Sequence, residues 1–498
     1  MKINLKLLII LIIGVSIFNT NCENIKDTNS ADKFNILFIT VDDLRPQLGC
    51  YGDSVVKTPN IDRLASTGII FKNAYCQQAL CGPSRASFLT GYRPETIGVK
   101  DLNTHFRDVI PDIVTLPQLF KNNGYESIGL FKVFHLVGFD PGGFGNMNDP
   151  DSWSYPLWLP SRSAWGPKGD SIFRLNYEAC LKKGPIGYNN IPRSLAYEAP
   201  EIEDSLISDG ETTLQAVKYL HKLKDKPFFM AIGFYKPHLP FVAPKKYWDL
   251  YDKNDLKLPD NQYPPIGAPD YATIGLGGDN ELRSFTNIPD TGDLNDDLKK
   301  DLLHGYLASI SYVDAQVGIL LNELENLKIR DKTIVVLLGD HGYQVGEHNM
   351  WGKKHTNFEI STHAPLIISV PGKHKSGIKT NSITEFIDIY PTLAELCNLI
   401  APDNLDGISL VPILINPTLQ LKEAAFSMYP RDKRMGTTMR TEQYRFTEWK
   451  SSVDNKIEYE LYDHLMDPKE NKNLANEYSY GTIKNELIEK FKILKPES

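Results

Sequence analysis

The stretch "FNILFITVDD", residues 34–43, is an almost unbroken apolar run that stops at two adjacent aspartates. A half-buried strand would alternate apolar and polar residues. An unbroken run marks a strand covered on both faces, as in a parallel sheet between helices. Four more runs share this texture. "YESIGLF" (125–131) is followed by Lys132 and His135, and "PFFMAIGFY" (227–235) by Lys236, Pro237 and His238. "TIVVLLG" (333–339) stops at Asp340 and His341, and "APLIISV" (364–370) at Pro371 and Gly372. Between them lie helical patterns at 115–124, 302–327, 386–399 and 58–68. In the last, Thr58 is the expected N-cap, Pro59 sits in the first turn and Gly68 stops the helix. Strands alternating with helices predict an open α/β sheet. Such sheets bind ligands beyond the carboxyl ends of their strands. Four of the runs end in carboxylates, lysines or histidines, which predicts one site along one sheet edge.

The chain has 498 residues, 41% hydrophobic, enough for one large core or two smaller ones. Its net charge of −8 and lack of a basic patch speak against a nucleic-acid partner. At the N-terminus, Lys2 and Lys6 precede an apolar run from Leu7 to Phe18, and Cys22 follows. Residues 1–22 therefore read as an export signal. Cys22 stands where a bacterial lipoprotein signal would be cut and lipid-anchored, and residues 23–33 read as a tether. The expected location is the periplasm or the outer membrane of a bacterium. The six cysteines are sparse and form no CxxC pair, so this is not a disulfide scaffold. A Cys50–Cys76 bridge stays open.

Residues 34–410 are expected to form the catalytic domain and 411–498 a smaller subdomain. The latter rests on alternation in "GTTMRTEQYRFTEWK" (436–450) and "KIEYELYDHLMDP" (456–468), followed by a helical "TIKNELIEKFKIL" (482–494).

Asp42, Asp43 and Asp340 offer three carboxylates, and hard divalent cations take oxygen ligands. Neighbouring carboxylates repel unless a cation sits between them. One aspartate serves as a turn cap; three at one edge call for more. His341 adds a nitrogen. In "LCGPSRASFLTG" (80–91) a turn feeds a helix, with Pro83 in its first turn. Cys81 would then lie at a helix N-terminus, where a thiolate or another anion is favoured, with Arg85 one turn on. By itself Cys81 is a packed thiol, half of a disulfide, a thiol nucleophile, or the precursor of another group.

Cys81-Gly82-Pro83-Ser84-Arg85 with Leu89-Thr90-Gly91 matches the C-x-P-S-R-x-x-x-L-T-G signature, and the chain thereby resembles the type I sulfatases of the alkaline phosphatase superfamily. "ELYDHLMDPKENKNLA" (460–475) resembles that family's C-terminal motif. "VDDLRPQLGCYGD" (41–53), "KVFH" (132–135), "YKPHLPF" (235–241) and "DHGYQVGEHNMWGKKHTNFE" (340–359) resemble its iduronate-2-sulfatase branch. The resemblance implies an alkaline-phosphatase-like, mostly parallel sheet sandwiched by helices. It implies that a formylglycine-generating or anaerobic sulfatase-maturating enzyme converts Cys81 to formylglycine (3-oxoalanine). Asp42, Asp43, Asp340, His341 and the converted Cys81 would hold Ca²⁺. Arg85 would hold the aldehyde hydrate, and Lys132 and His135 would orient and deprotonate it. Lys353 and His238 would contact the sulfate, and His238 would protonate the leaving oxygen. Lys353 and Lys354 also read as solvated surface charges.

The implied substrate is a sulfated oligo- or polysaccharide: a 2-O-sulfated uronate of a glycosaminoglycan, or an algal polymer such as ulvan or carrageenan. Tyr343, Gln344 and His355 lie in the loop expected to read the sugar, where their side chains differ from the animal enzyme type. Residues 140–190 could form a lid or a cleft wall, with Trp153, Trp158 and Trp165 stacking on sugars or packing. His348 would orient its loop and His363 would pack. Two other readings stand beside this one. One is a phosphatase or phosphonate hydrolase of the same superfamily. The other is a non-catalytic glycan-binding protein, should Cys81 stay a thiol.

Overall fold

The computed structural model describes residues 33–136, 147–184, 192–273, 281–372 and 377–496. The export segment and all of the tether except Lys33 lie outside them, as do parts of the expected lid.

Seven strands form the central sheet: β1 (Asn35–Val41), β2 (Ile69–Tyr75), β3 (Glu126–Phe131), β4 (Phe228–Phe234), β5 (Thr333–Gly339), β6 (Leu366–Ser369) and β7 (Ile378–Glu385). Their order is β7-β2-β6-β5-β1-β4-β3, and only β6 runs antiparallel to its neighbours. The unbroken apolar runs have a direct cause. Ile36 and Phe38 join one core with Phe229, Val336 and Leu366, while Leu37, Ile39 and Val41 join another with Met230, Leu337 and Ile367. Successive side chains point to opposite faces, and both faces are dry. Each such Leu, Ile or Phe contributes roughly 1.5–3 kcal/mol by leaving water.

Helices α1 (Pro59–Ser66), α4 (Ser208–Leu223) and α5 (Asp296–Asn326) cover one face. α2 (Cys81–Thr90), α3 (Leu116–Asn122) and α6 (Ile389–Leu396) cover the other. The start of α1 departs from expectation. The Thr58 side chain does not cap it but binds Gly49 N (3.0 Å) and Asp62 Oδ1 (3.2 Å). The buried Asp314 of α5 accepts instead from Asn60 N (3.0 Å) and Ile61 N (2.7 Å). Only the fold could reveal a cap donated from so far along the chain.

Register puts the site at one edge. Val41 is level with Phe234 and Gly339, and Phe131 with Gly233. Backbone bonds continue one step further: Asp42 N to Phe234 O (3.1 Å), Asp340 N to Val41 O (3.1 Å) and Lys132 N to Gly233 O (3.2 Å). The four charged strand ends therefore lie side by side. β6 points the other way, so Pro371 and Gly372 end at the opposite edge.

A second sheet, β8 (Ala425–Arg431), β9 (Arg434–Arg440), β10 (Tyr444–Ser451) and β11 (Ile457–Asp463), is an antiparallel meander. One face carries α7 (Gly481–Leu494) on Phe426, Met439, Phe446 and Leu461. The other packs Trp449 and Tyr462 on Met350 and Phe358. Beside that contact, the buried Arg445 donates to Asn357 O (2.6 Å), Glu470 Oε1 (2.5 Å) and Glu359 Oε2 (2.5 Å). Arg440 adds a bond to Glu359 Oε2 (2.9 Å).

Cys50 and Cys76 are separate thiols and are not bridged to each other. Trp153 and Trp165 are buried, their indole N–H groups bonded to Asn148 Oδ1 (3.0 Å) and Leu195 O (2.9 Å). Both pack the protein and offer no face to a sugar. Trp158 is half-buried beside the end of β3.

Candidate active site

α2 begins at Cys81 and ends where Gly91 turns left-handed (φ 78°). Its first turn points at the strand ends. Cys81 Sγ lies 3.3 Å from Asp42 Oδ1 and 3.3 Å from His341 Nε2. The thiol is 2% exposed. Burial pushes it well above its usual pKa, and Asp42 adds to this against Lys354 and Lys132. The helix N-terminus therefore does not produce the thiolate that Cys81's position there suggested.

Asp42, Cys81, Asp340 and His341 bring one ligand atom each within 4.8 Å of one another; Asp43, Cys81 and His238 do the same. The carboxylates are fully buried. Burial raises Asp42, but Lys132, His238 and Arg85 outweigh it and hold that group well below the carboxylate range. Burial and then the neighbouring charge of Asp42 push Asp340 up to about 7. Burial likewise pushes Asp43 well above the usual range; Lys354 opposes this, while Asp42 and Asp340 reinforce it. Three carboxylates so placed cannot all ionise without further positive charge. Asp43 Oδ2 has no hydrogen-bond partner. His341 Nδ1 is 2.9 Å from Gly342 O, so a proton there leaves the Nε2 lone pair facing Cys81. Oxygen-rich and with one nitrogen, the set suits a hard divalent cation.

Positive groups close the other side. Lys132 Nζ donates to Asp42 Oδ2 and lies 4.8 Å above the Tyr235 ring. Arg85 Nε bonds Asp340 Oδ2 (3.0 Å), and its Nη1 bonds Thr40 Oγ1 and Val133 O (3.1 Å each). Arg85 Nη2 has no hydrogen-bond partner and stands 3.6 Å from Asp42 Oδ1. Arg85 thus fixes the aspartates as well as facing Cys81. His135 is buried with neither ring nitrogen hydrogen-bonded, and burial and then Lys132 keep it neutral. His238 Nδ1 is 2.7 Å from Leu239 O, and Nε2 faces Asp43 Oδ2 (3.7 Å). Burial and then Lys354 hold this imidazole down at about 3.

The lysine after Lys353 also reaches the cluster: Lys354 Nζ donates to Asp43 Oδ1 at 2.7 Å. Lys353 is buried one position earlier, in the hairpin strand Trp351–Lys353. Tyr343 is 1% exposed and stacked on Tyr306 (5.5 Å between centroids), so it forms the floor beneath Lys354. Gln344 is buried with both amide atoms unpaired. His355 stacks on Tyr429 (5.8 Å). His348 packs on Phe358 (4.7 Å) and His363 lies near Glu359 (3.5 Å), both in the joint with the second sheet.

Three supporting residues had no motif to betray them. Asp209 of α4 is buried and accepts from Tyr235 N (2.5 Å) and Lys236 N (3.3 Å), fixing the loop that carries His238. Glu281 Oε2 stands 3.8 Å from His238 Nε2, and Arg193 Nη1 stands 3.5 Å from Glu281 Oε1.

A mixed sheet with a cation-ready acidic cluster at its carboxyl edge, a helix N-terminus and a ring of lysines and histidines defines a hydrolase of charged esters with the alkaline-phosphatase-like fold. The family description "Sulfatase" matches residues 34–399, and "N-sulphoglucosamine sulphohydrolase, C-terminal" matches residues 346–497. The chain is 32% identical to the human iduronate 2-sulfatase, over 91% of this chain and 93% of that one. It is 31% identical to a sulfatase of Formosa agariphila, over 98% of this chain and 91% of that one. Among solved structures, the phosphonate monoester hydrolase of Agrobacterium radiobacter shares the fold, with a TM-score of 0.73, 23% identity, and 93% and 95% of the two chains covered. The chain belongs to the sulfatase family and is a sulfuric ester hydrolase.

Proposed function

We propose that this sulfatase removes the 2-O-sulfate of a uronate-type sugar from a sulfated polysaccharide or its fragments, with Cys81 converted to formylglycine and calcium held by Asp42, Asp43, Asp340 and His341. The observation that carries the reading is Cys81 Sγ at 3.3 Å from both Asp42 and His341, at a helix start ringed by Lys132, His135, His238 and Lys354. The name of the human relative supports the sugar.

When present, calcium would supply positive charge beside the nucleophile, and the hydrated aldehyde two hydroxyls, one to attack sulfur and one to expel sulfate. The chain's own groups do the rest. Burial lowers Lys132, but Asp42 and Cys81 together outweigh it and keep the group charged, so its ammonium meets charge developing on the sulfuryl oxygens. Arg85 and Lys354 act in the same way, and Lys353 contacts the sulfate from the same hairpin. His135, neutral and unpaired at both nitrogens, accepts a proton within the site. His238 presents Nε2 to the ester oxygen. Its low pKa rises as the anionic sulfate arrives between it and Lys354, which lets Nε2 hand a proton to the leaving alcohol.

The test is sulfate release by protein co-produced with a formylglycine-generating enzyme. 2-O-sulfated uronate disaccharides should be hydrolysed in preference to carrageenan and ulvan oligosaccharides, and to phosphate and phosphonate esters. An unconverted Cys81 peptide in active protein would overturn the nucleophile; preference for a phosphonate would overturn the reaction. We further infer export, with a lipid on Cys22, from the basic and apolar N-terminus. The mass of the mature N-terminal peptide from the native host decides that point.

A further inference from the structure

We propose that Glu281 determines which sulfated sugars enter: its carboxylate receives the hydroxyl on the ring carbon next to the sulfated one, and it turns away sugars that carry a second sulfate there. This rests on the sulfatase reading above.

The sulfate lies among Cys81, Lys132, His238 and Lys354, and the ester oxygen faces His238. The sugar therefore begins just beyond His238, and the carboxylate met there is Glu281, 3.8 Å from His238 Nε2. Glu281 sits in a short helical turn (Glu281–Ser284) that packs on the hairpin strand Trp351–Lys353, with Leu282 near Gly352. Its side chain is 28% exposed, open to a ligand on one side. Arg193 holds it from behind at 3.5 Å, with its own guanidinium over the Phe285 ring (5.5 Å). Both ion-pair distances exceed a hydrogen bond, and no described residue donates a hydrogen bond to the Glu281 carboxylate. Two acceptor oxygens are thus free at the position where a ring hydroxyl arrives. An ionised carboxylate only accepts, so a hydroxyl satisfies it and a sulfate opposes it. In a 2-O-sulfated uronate linked through its anomeric carbon, the adjacent free hydroxyl is the one on C3.

Binding reads this without turnover. The Cys81→Ala protein is titrated by calorimetry with a 2-O-sulfated uronate disaccharide and with its 2,3-di-O-sulfated counterpart. The monosulfated sugar should bind more tightly by at least about tenfold. In the Cys81→Ala, Glu281→Gln protein, which keeps an acceptor and loses the charge, that gap should fall below about threefold because the disulfated sugar gains. Absence of a preference with Glu281 in place, no binding of either sugar, or a gap unchanged by Glu281→Gln overturns the assignment. If the preference is present but the converted native protein releases no sulfate from the monosulfated sugar, the proposed reaction falls and Glu281's role stands. Thermal melting of both variants confirms that they fold.

Discussion

Gly233→Ala should damage both stability and catalysis, through one added methyl. Gly233 of β4 lies opposite Phe131 at the end of β3. A Cβ on Gly233 would overlap the Lys132 carbonyl and stand 2.5 Å from Val133 N. Ordinary contacts of a Cβ begin at 3.4 Å, so the end of β3 must retreat by about 1.5 Å. The obstructing atoms are backbone and cannot rotate aside. Over-packing of this kind costs about 1–3 kcal/mol. The retreat also drags Lys132 and His135, and a shift of about 1 Å at reacting groups lowers rates by about 100-fold. Thermal melting and initial rates of sulfate release measure the two effects on the same sample. Gly481→Ala, where a Cβ meets nothing within 4 Å at the start of α7, is the control: it should leave the rate unchanged and raise, not lower, the melting temperature. Wild-type melting and rates in Gly233→Ala would refute the reasoning, since the strand end would then have slack that the packing denies it.

Other perturbations follow from single contacts. Lys353→Met and Lys354→Met should each lower kcat/KM by about 100-fold or more; a wild-type rate in either variant would remove that lysine from the site. Calcium at 100 times its dissociation constant should stabilise the fold by about 2.7 kcal/mol, and a chelator should remove that gain; a melting temperature indifferent to both would sink the cation site. Arg445→Met strands Glu359 and Glu470 in a buried joint and should cost about 3–5 kcal/mol in a denaturant melt. The same joint has a pH signature: burial raises Glu470, but Arg445 and His464 together outweigh it and hold the group at about 2, against 4.5 for an ordinary glutamate. A depressed carboxyl stabilises above its unfolded pKa, so this contribution should fade as pH drops from about 4.5 towards 2. A wild type no more acid-sensitive in that window than Arg445→Met would contradict it.

Much of the fold was legible because both faces of the sheet are dry, and dryness on two sides writes unbroken apolar runs. The second sheet was legible from its alternation, except β8. "AFSMYPR" mixes serine and proline into a strand that is buried mainly by its neighbours. The aspartates, Cys81, Arg85, Lys132, His135 and His238 were legible because they end strands or start a helix in recognisable motifs. What stayed hidden was long-range. Two adjacent lysines on one loop carry no mark of their partners, and the bond from Lys354 to Asp43 shows only in the folded hairpin. Asp314 and Glu281 act on residues more than 40 positions away. Trp153 and Trp165 look like sugar platforms by composition, yet their N–H groups are spent inside the protein.

The Arg440–Arg445 joint also bears on how the protein comes off the ribosome. Every motif that supplies a carboxylate or cation to the site precedes residue 355, whereas the arginines that grip Asn357 and Glu359 are made some 80 residues later. The loop carrying Lys354 is held at its far end by arginines made after it. A product clipped between Glu359 and Arg440 would thus hold all the chemical groups without the frame that positions one of them.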